Sequence, residues 1–145
     1  QIDDLLEESD YILLACDLNK TTHNLINKKT LSKMKKDSFL INIARGNVCN
    51  ETDLYQCLKD NKIGGAAIDT WWVYPYTNKA NKNPMPSNLP FHELPNVIMS
   101  PHNSSNSLES DIRRAEFMFK NFLAFKNDNE VPGFVFYGTG NKVEV

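Results

Sequence analysis

Four residues stand where a short apolar run gives way to polar sequence. Asp17 follows the run 11–16 (YILLAC), Arg45 the run 39–44, Asp69 the run 66–68, and His102 the run 96–100. Each side chain suits a distinct task. The planar guanidinium of Arg45 matches a carboxylate through two parallel hydrogen bonds, and Gly46 beside it permits a tight turn; the same residue would serve equally as a surface ion-pair partner. An imidazole titrates near neutral pH, so His102 could give a proton to a carbonyl oxygen as hydride arrives, or be a structural histidine fixed by Pro101. Asp69 could accept hydrogen bonds from a carboxamide or a sugar hydroxyl, or cap the turn after it. In open α/β sheets ligands bind outside the carboxyl ends of the strands. If the four runs are parallel strands, two acids, a guanidinium and an imidazole border one crevice.

The intervening sequence supplies the elements that this requires. The run 11–16 is almost wholly apolar, the pattern of a central parallel strand covered on both faces. Thr30 is placed to cap a short helix, TLSKMKK, whose lysines suit its negative C-terminal end. Asn50 with Asp53 three residues on resembles a capping box for a helix running to about Asn61, with Leu54, Cys57 and Leu58 as its apolar stripe. Gly64 and Gly65 lead into the third run, so strand and helix alternate in the manner of right-handed crossovers and a parallel sheet. Residues 71–95 contain five of the seven prolines and read as a long irregular loop. Trp71 and Trp72, adjacent in sequence, cannot both face the same side of a regular element, so one is expected in the core while the other could wall a pocket or pack on a partner. From Asn106, a stripe of Leu108, Ile112, Ala115, Phe119, Phe122 and Leu123 predicts a long helix to about Asn127, with Glu109 as capping partner. The tail from Val131 reads as a strand or an arm.

Composition narrows the class. With 145 residues, 41% hydrophobic and 23% charged, the chain has ordinary globular usage. A net charge of -2, with lysines interspersed among acids, does not describe a nucleic-acid surface, and the lysines of 28–36 read as a solvated helix face. No apolar run approaches the length of a membrane span. Three cysteines, Cys16, Cys49 and Cys57, without CxxC spacing fit reduced thiols and a cytoplasmic protein. With Cys49, His23 and His92 lack metal-ligand spacing, so no metal is expected. Gln1 opens directly into Ile2, Leu5 and Leu6 at helical spacing, as if the chain continued a longer one.

Three blocks together, SDYILLACDLNKTTHNLIN, MKKDSFLINIARGNVCNETDLYQCLKDNKIGGAAIDTW and LPNVIMSPHNSS, resemble in order and spacing the C-terminal signatures of D-isomer-specific 2-hydroxyacid dehydrogenases. The resemblance covers about residues 1–128. It implies an α/β fold: residues 1–105 as the C-terminal half of a Rossmann-type parallel sheet with flanking helices, and 106–145 as a return helix and a segment of the substrate domain. It also implies NAD or NADP as cofactor, a small 2-oxo or 2-hydroxy acid as substrate, and a homodimer. By the same resemblance Arg45 corresponds to the arginine that binds the substrate carboxylate and His102 to the acid/base. Asp69 corresponds to the acid near the nicotinamide. Cys16, Asp17, Thr22, Ile43, Ala44, Arg45, Asp69, His102 and Ser104 fall at cofactor-lining positions.

Two features depart from the family pattern. Asp17 stands where a proline is usual. Five residues after Asp69, where the family's glutamate pairs with the histidine, this chain has Tyr74, which supplies no such charge; Glu93 is an alternative partner for His102. No GxGxxG turn occurs, so the pyrophosphate-binding half of the site is expected upstream of Gln1. Loss of the glutamate also admits a rival reading, a dinucleotide-sensing corepressor-like protein without catalysis.

Overall fold

The computed structural model describes residues 2–74, 85–127 and 129–132. The tail expected from Val131 as a strand or arm therefore lies almost wholly outside the described residues, as does the middle of the 71–95 loop. The chain divides into two compact units, Gln1–Ser104 and Ser105–Val145.

In the first unit, strands β1 (Tyr11–Leu14), β2 (Phe39–Asn42), β3 (Gly65–Ile68) and β4 (Val97–Met99) alternate with helices α1 (Ile2–Glu8), α2 (Lys28–Leu31) and α3 (Glu51–Lys59). All neighbouring strands pair in parallel, in the spatial order β1-β2-β3-β4. In register, Leu14, Asn42, Ile68 and Met99 end their strands at one level, which brings the four polar exits to one edge of the sheet. The strands are shorter than the apolar runs suggest, because residues past this level leave the ladder to form the turns of the site.

Where a central first strand covered on both faces was expected, β1 pairs, among the described residues, with β2 alone. Side chains alternate across a strand, and Ile12, Leu14 and Leu40 join Leu6 of α1, Leu31 of α2 and Leu54 and Leu58 of α3 in one core. Their odd-numbered neighbours Tyr11 and Leu13 remain 70% and 57% exposed, and Ile98 of β4 is 71% exposed. Tyr11 and Phe39 stack across the strands on that open face.

Helix caps also differ from the sequence pattern. α2 is capped by Asn27, whose side chain accepts from Lys29 and Thr30 backbone N–H, while the Thr30 hydroxyl accepts the Asn27 N–H to complete the box. Thr30 thus fills the third helical position, because Asn27 has the extended backbone that a cap requires. Asn50 does cap α3, yet the Asp53 carboxylate accepts from Lys28 N–H at 2.8 Å, tying the start of α2 to α3. α3 stops at Lys59, and Asn61 adopts φ 52 in the turn beyond it.

Where the 71–95 loop is described, its far end is anchored: Ser87 Oγ and Asn88 N–H both donate to Glu51 Oε1 of α3, at 2.6 and 2.8 Å. Both tryptophans pack around buried Phe91, Trp72 stacked and Trp71 edge-on. The second unit contains α4 (Leu108–Lys126), capped by Ser107, whose side chain accepts from Ser110 N–H; the expected starting pair of Asn106 and Glu109 is shifted by one residue. Among the described residues no helix is long and apolar enough to cross a membrane.

Gly46 shows how closely the loop is laid against the turn carrying Arg45, since a Cβ there would lie 2.3 Å from Trp71 O. Gly46→Ala is expected to cost about 1–3 kcal/mol of stability through forced backbone displacement, read as a lower urea midpoint at unchanged slope.

Candidate active site at the carboxyl edge of the sheet

The turn after β2 is built on Asn42, which is 1% exposed. Its Oδ1 accepts from Ala44 N–H at 3.0 Å, and its Nδ2 donates to Arg45 O at 3.0 Å. A buried amide with both ends engaged holds the following residues in one conformation. Ala44 is consequently buried, while Ile43 and Arg45 face outward. The Arg45 backbone is extended, and its guanidinium folds back to donate to Ala44 O at 2.7 Å. The sequence reading missed Asn42; the one signal for it is that it is the single polar residue in the apolar run 39–44.

After β1, the Thr22 hydroxyl donates to Asp17 O at 2.6 Å and accepts from Asn19 N–H at 2.8 Å, closing the 17–22 loop. Between the two turns lies a cavity of about 780 Å³ lined by Ala15, Cys16, Asp17, Asn19, Ile43 and Arg45, among others. The structure thus gathers Cys16, Asp17, Ile43, Ala44 and Arg45 around one concavity, with Thr22 bracing its rim. Cys16 is half-buried and Cys49 buried, both as free thiols. Burial pushes the Cys49 thiol up to about 12, so it has no nucleophilic form near neutral pH.

The exits of β3 and β4 form a second cluster. Asp69 is 4% exposed, and its carboxylate receives four hydrogen bonds. Ser100 Oγ and Asn103 N–H reach Oδ1 at 2.6 and 2.9 Å; Ser104 Oγ and Ser104 N–H reach Oδ2 at 2.5 and 3.2 Å. Burial raises the Asp69 carboxyl, but hydrogen bonds from the Ser100 and Ser104 hydroxyls and from the Ser104 and Asn103 amides outweigh it and hold the pKa at about 2. Ser104 therefore turns its hydroxyl toward Asp69.

His102 lies exposed in the turn between these donors, at φ 58. Its Nδ1 is 2.9 Å from the Tyr74 hydroxyl, the ring centroids 5.5 Å apart. Trp71 N–H donates to the same tyrosine oxygen at 3.1 Å, and Trp71 Nε1 donates to Ser100 O at 2.8 Å. Tyr74 thus meets His102 in space, whereas Glu93 lies beside His92 at 3.8 Å. With the ring neutral and its proton on Nε2, the tyrosine donates to Nδ1; with the ring protonated, Nδ1–H donates to the tyrosine oxygen. An apolar cavity of about 400 Å³, walled by Trp71, Val73, Tyr74, Met99 and His102, adjoins the pair.

Residues 1–104 match the profile of the D-isomer specific 2-hydroxyacid dehydrogenase NAD-binding domain. The chain belongs to this family. It is 39% identical over 131 residues to a glyoxylate reductase of Pyrococcus horikoshii, covering 90% of this chain and 36% of that one. Among solved structures, D-lactate dehydrogenase from Lactobacillus jensenii with NAD+ superposes with a TM-score of 0.80 at 29% identity, over 94% of this chain and 42% of that one. D-lactate dehydrogenase from Aquifex aeolicus, complexed with NAD and lactic acid, gives 0.75 at 32% identity, over 88% and 40%. The chain thus spans about a third of the length of the curated relatives that it matches. Four parallel strands with flanking helices are the Rossmann-like architecture of these family members.

The hydrogen bonds on Asp69 predict a specific acid sensitivity. Its carboxyl titrates near 2 in the fold and near 3.9 when unfolded, so ionisation stabilises the native state by about 2–3 kcal/mol above pH ~4. That stability is lost as pH falls through the folded value. Asp69→Asn should be less stable than the parent at pH 7, and the difference should shrink between about pH 4 and 2 in urea unfolding followed by circular dichroism.

Proposed function

We propose that this chain forms the nicotinamide-side half of the active site of an NAD(P)-dependent enzyme that interconverts a small D-2-hydroxy acid and its 2-oxo acid. The observation that carries this reading is the convergence of an exposed guanidinium and a hydrogen-bonded Tyr74–His102 pair on one edge of a parallel sheet, within a family of NAD-binding domains. The concavity after β1 and β2 fits the cofactor's nicotinamide end: Ile43 and Ala44 offer apolar surface for a flat ring, and Cys16, Asp17 and the loop closed by Thr22 offer polar groups at its rim. When bound there, the nicotinamide supplies or takes up the hydride.

The remaining work falls to the chain itself. Arg45 releases its contact with Ala44 O and takes the substrate carboxylate through paired hydrogen bonds, which orients C2 of the acid. His102 moves the proton at Nε2, giving it to the nascent alkoxide on reduction and removing it from the hydroxyl on oxidation. Tyr74 keeps a hydrogen bond to Nδ1 in both protonation states and so holds the ring in place through the cycle. Residues 106–145 belong, in this reading, to the return helix and a segment of the substrate domain. The protein works as a homodimer in the cytoplasm, in keeping with free thiols at all three cysteines.

The test is NADH or NADPH oxidation by the whole protein against glyoxylate, hydroxypyruvate and pyruvate, with formate and NAD as control. Turnover with a 2-oxo acid is expected, and binding of the dinucleotide without any turnover would favour the sensing protein instead. Arg45→Ala should lower kcat/KM by about a hundredfold or more, and His102→Gln should lower kcat by about 10²–10⁴. Tyr74→Phe removes one hydrogen bond to the acid and should lower kcat about tenfold at nearly unchanged KM.

A further inference from the structure

A phenol oxygen carries one proton and two lone pairs, and each ring nitrogen of an imidazole is either a donor or an acceptor. The 2.9 Å contact between Tyr74 Oη and His102 Nδ1 therefore has two proton arrangements when both groups are neutral. In one, the tyrosine donates to Nδ1 and the imidazole proton sits on Nε2. In the other, Nδ1–H donates to the tyrosine and Nε2 is bare. The Trp71 backbone N–H decides between them. It donates to the same tyrosine oxygen at 3.1 Å, which occupies a lone pair and, by polarising the phenol, makes its O–H the stronger donor. Trp71 is held in place to do so, since its side chain is buried and its Nε1–H donates to Ser100 O at 2.8 Å. Neutral His102 accordingly presents Nε2–H, and among the described residues no hydrogen bond takes up that proton.

We propose that Tyr74 supplies, through His102, the proton that reduction of a 2-oxo acid consumes, so that the neutral pair acts without first forming an imidazolium. As hydride reaches C2, the Nε2 proton passes to the former carbonyl oxygen and the phenol proton passes to Nδ1. The products are the 2-hydroxy acid, a phenolate and a neutral imidazole with its proton on Nδ1, so one proton has left the pair and one has reached the substrate. An alkoxide is a stronger base than a phenolate, so both transfers run downhill, and Trp71 N–H stays on the phenolate oxygen as a charge-assisted donor. Tyr74 is half-buried, and water returns its proton. The resting pair thus offers a donor to a carbonyl oxygen, which makes the oxo acid the form it recognises. An ionised carboxylate in place of Tyr74 could only accept, and would hold the proton on Nδ1 instead. Tyr74 touches His102 and not the substrate, so it is a positioning residue that also carries a proton. The relay rests on the reading of His102 as the acid/base, while the proton arrangement is measurable without any assay of turnover.

Two measurements on the whole protein test this. The first is nitrogen NMR of the His102 ring without cofactor, at a pH where the ring is neutral. It should find the proton on Nε2 in the unmutated protein and on Nδ1 in Tyr74→Glu. The second is the single-turnover rate of 2-oxo acid reduction in mixtures of light and heavy water. Two protons in flight bow the plot of rate against deuterium fraction. Tyr74→Phe keeps the imidazole but removes the phenol proton, and should straighten the plot and lower the rate about tenfold. A proton on Nδ1 in the unmutated protein would overturn the proposal, as would a proton that stays on Nε2 in Tyr74→Glu. So would a straight plot for the unmutated protein, or a plot still bowed in Tyr74→Phe. If Tyr74→Glu does not fold, the unmutated spectrum and the Tyr74→Phe comparison decide. A protein with its proton on Nε2 that reduces no 2-oxo acid would refute the proposed function and the relay together, whereas turnover with a straight plot would refute the relay alone.

Discussion

Everything at the site depends on four short parallel strands ending at one level. Parallel pairing places all four carboxyl ends on the same edge of the sheet, and the register from Leu14 through Asn42 and Ile68 to Met99 aligns them to the residue. Three backbone bonds continue the ladder one step past the named strands, from Ile43 to Leu14, from Asp69 to Asn42 and from Ser100 to Ile68. Beyond that step the backbone is released, and four separate turns form side by side. A one-residue slip in any pairing would exchange the buried and exposed faces of that strand, so the apolar core and the position of the site are set by the same constraint.

Two buried polar side chains convert that edge into a defined surface. Asn42 shapes the turn that presents Arg45, and Asp69 shapes the turn that presents His102. Both are almost fully enclosed, and both have their hydrogen-bonding groups engaged by backbone or hydroxyl partners within a few residues of the functional side chain. Burying such groups unsatisfied would be costly. Satisfied, they lock a local geometry that apolar packing alone would leave loose. The side chains proposed to act, Arg45 and His102, are exposed, which suits groups that must meet a ligand.

The tryptophans link this surface to the core beneath it. Trp71 reaches Ser100 through its indole N–H and Tyr74 through its backbone N–H, so the partner of His102 and the turn that carries His102 share one anchor. Trp72 donates to Cys49 O at 3.0 Å and stacks on Phe91, and so ties the same segment to the end of the turn after Arg45. Packing around one buried phenylalanine therefore keeps the two halves of the site in a fixed relation.

Much of this was legible in the residues. The apolar runs marked all four strands, their polar exits marked Asp17, Arg45, Asp69 and His102, and strand-helix alternation implied the parallel sheet, because each of these signals is local and survives in one dimension. Other features were decided only in three dimensions. β1 pairs on one side and is open on one face because coverage depends on what packs there, which an apolar run does not state. Asn27 replaced Thr30 as a cap because capping follows backbone conformation as well as residue type. Tyr74 could be placed against His102 only by the fold, since an irregular loop has no periodicity from which to read a contact across 28 residues. The partners of Asp69 were hidden for the same reason. The sequence by itself determined which groups end the strands; the tertiary structure decided what each one touches, because hydrogen bonds between turns depend on distances that the order of residues along the chain does not record.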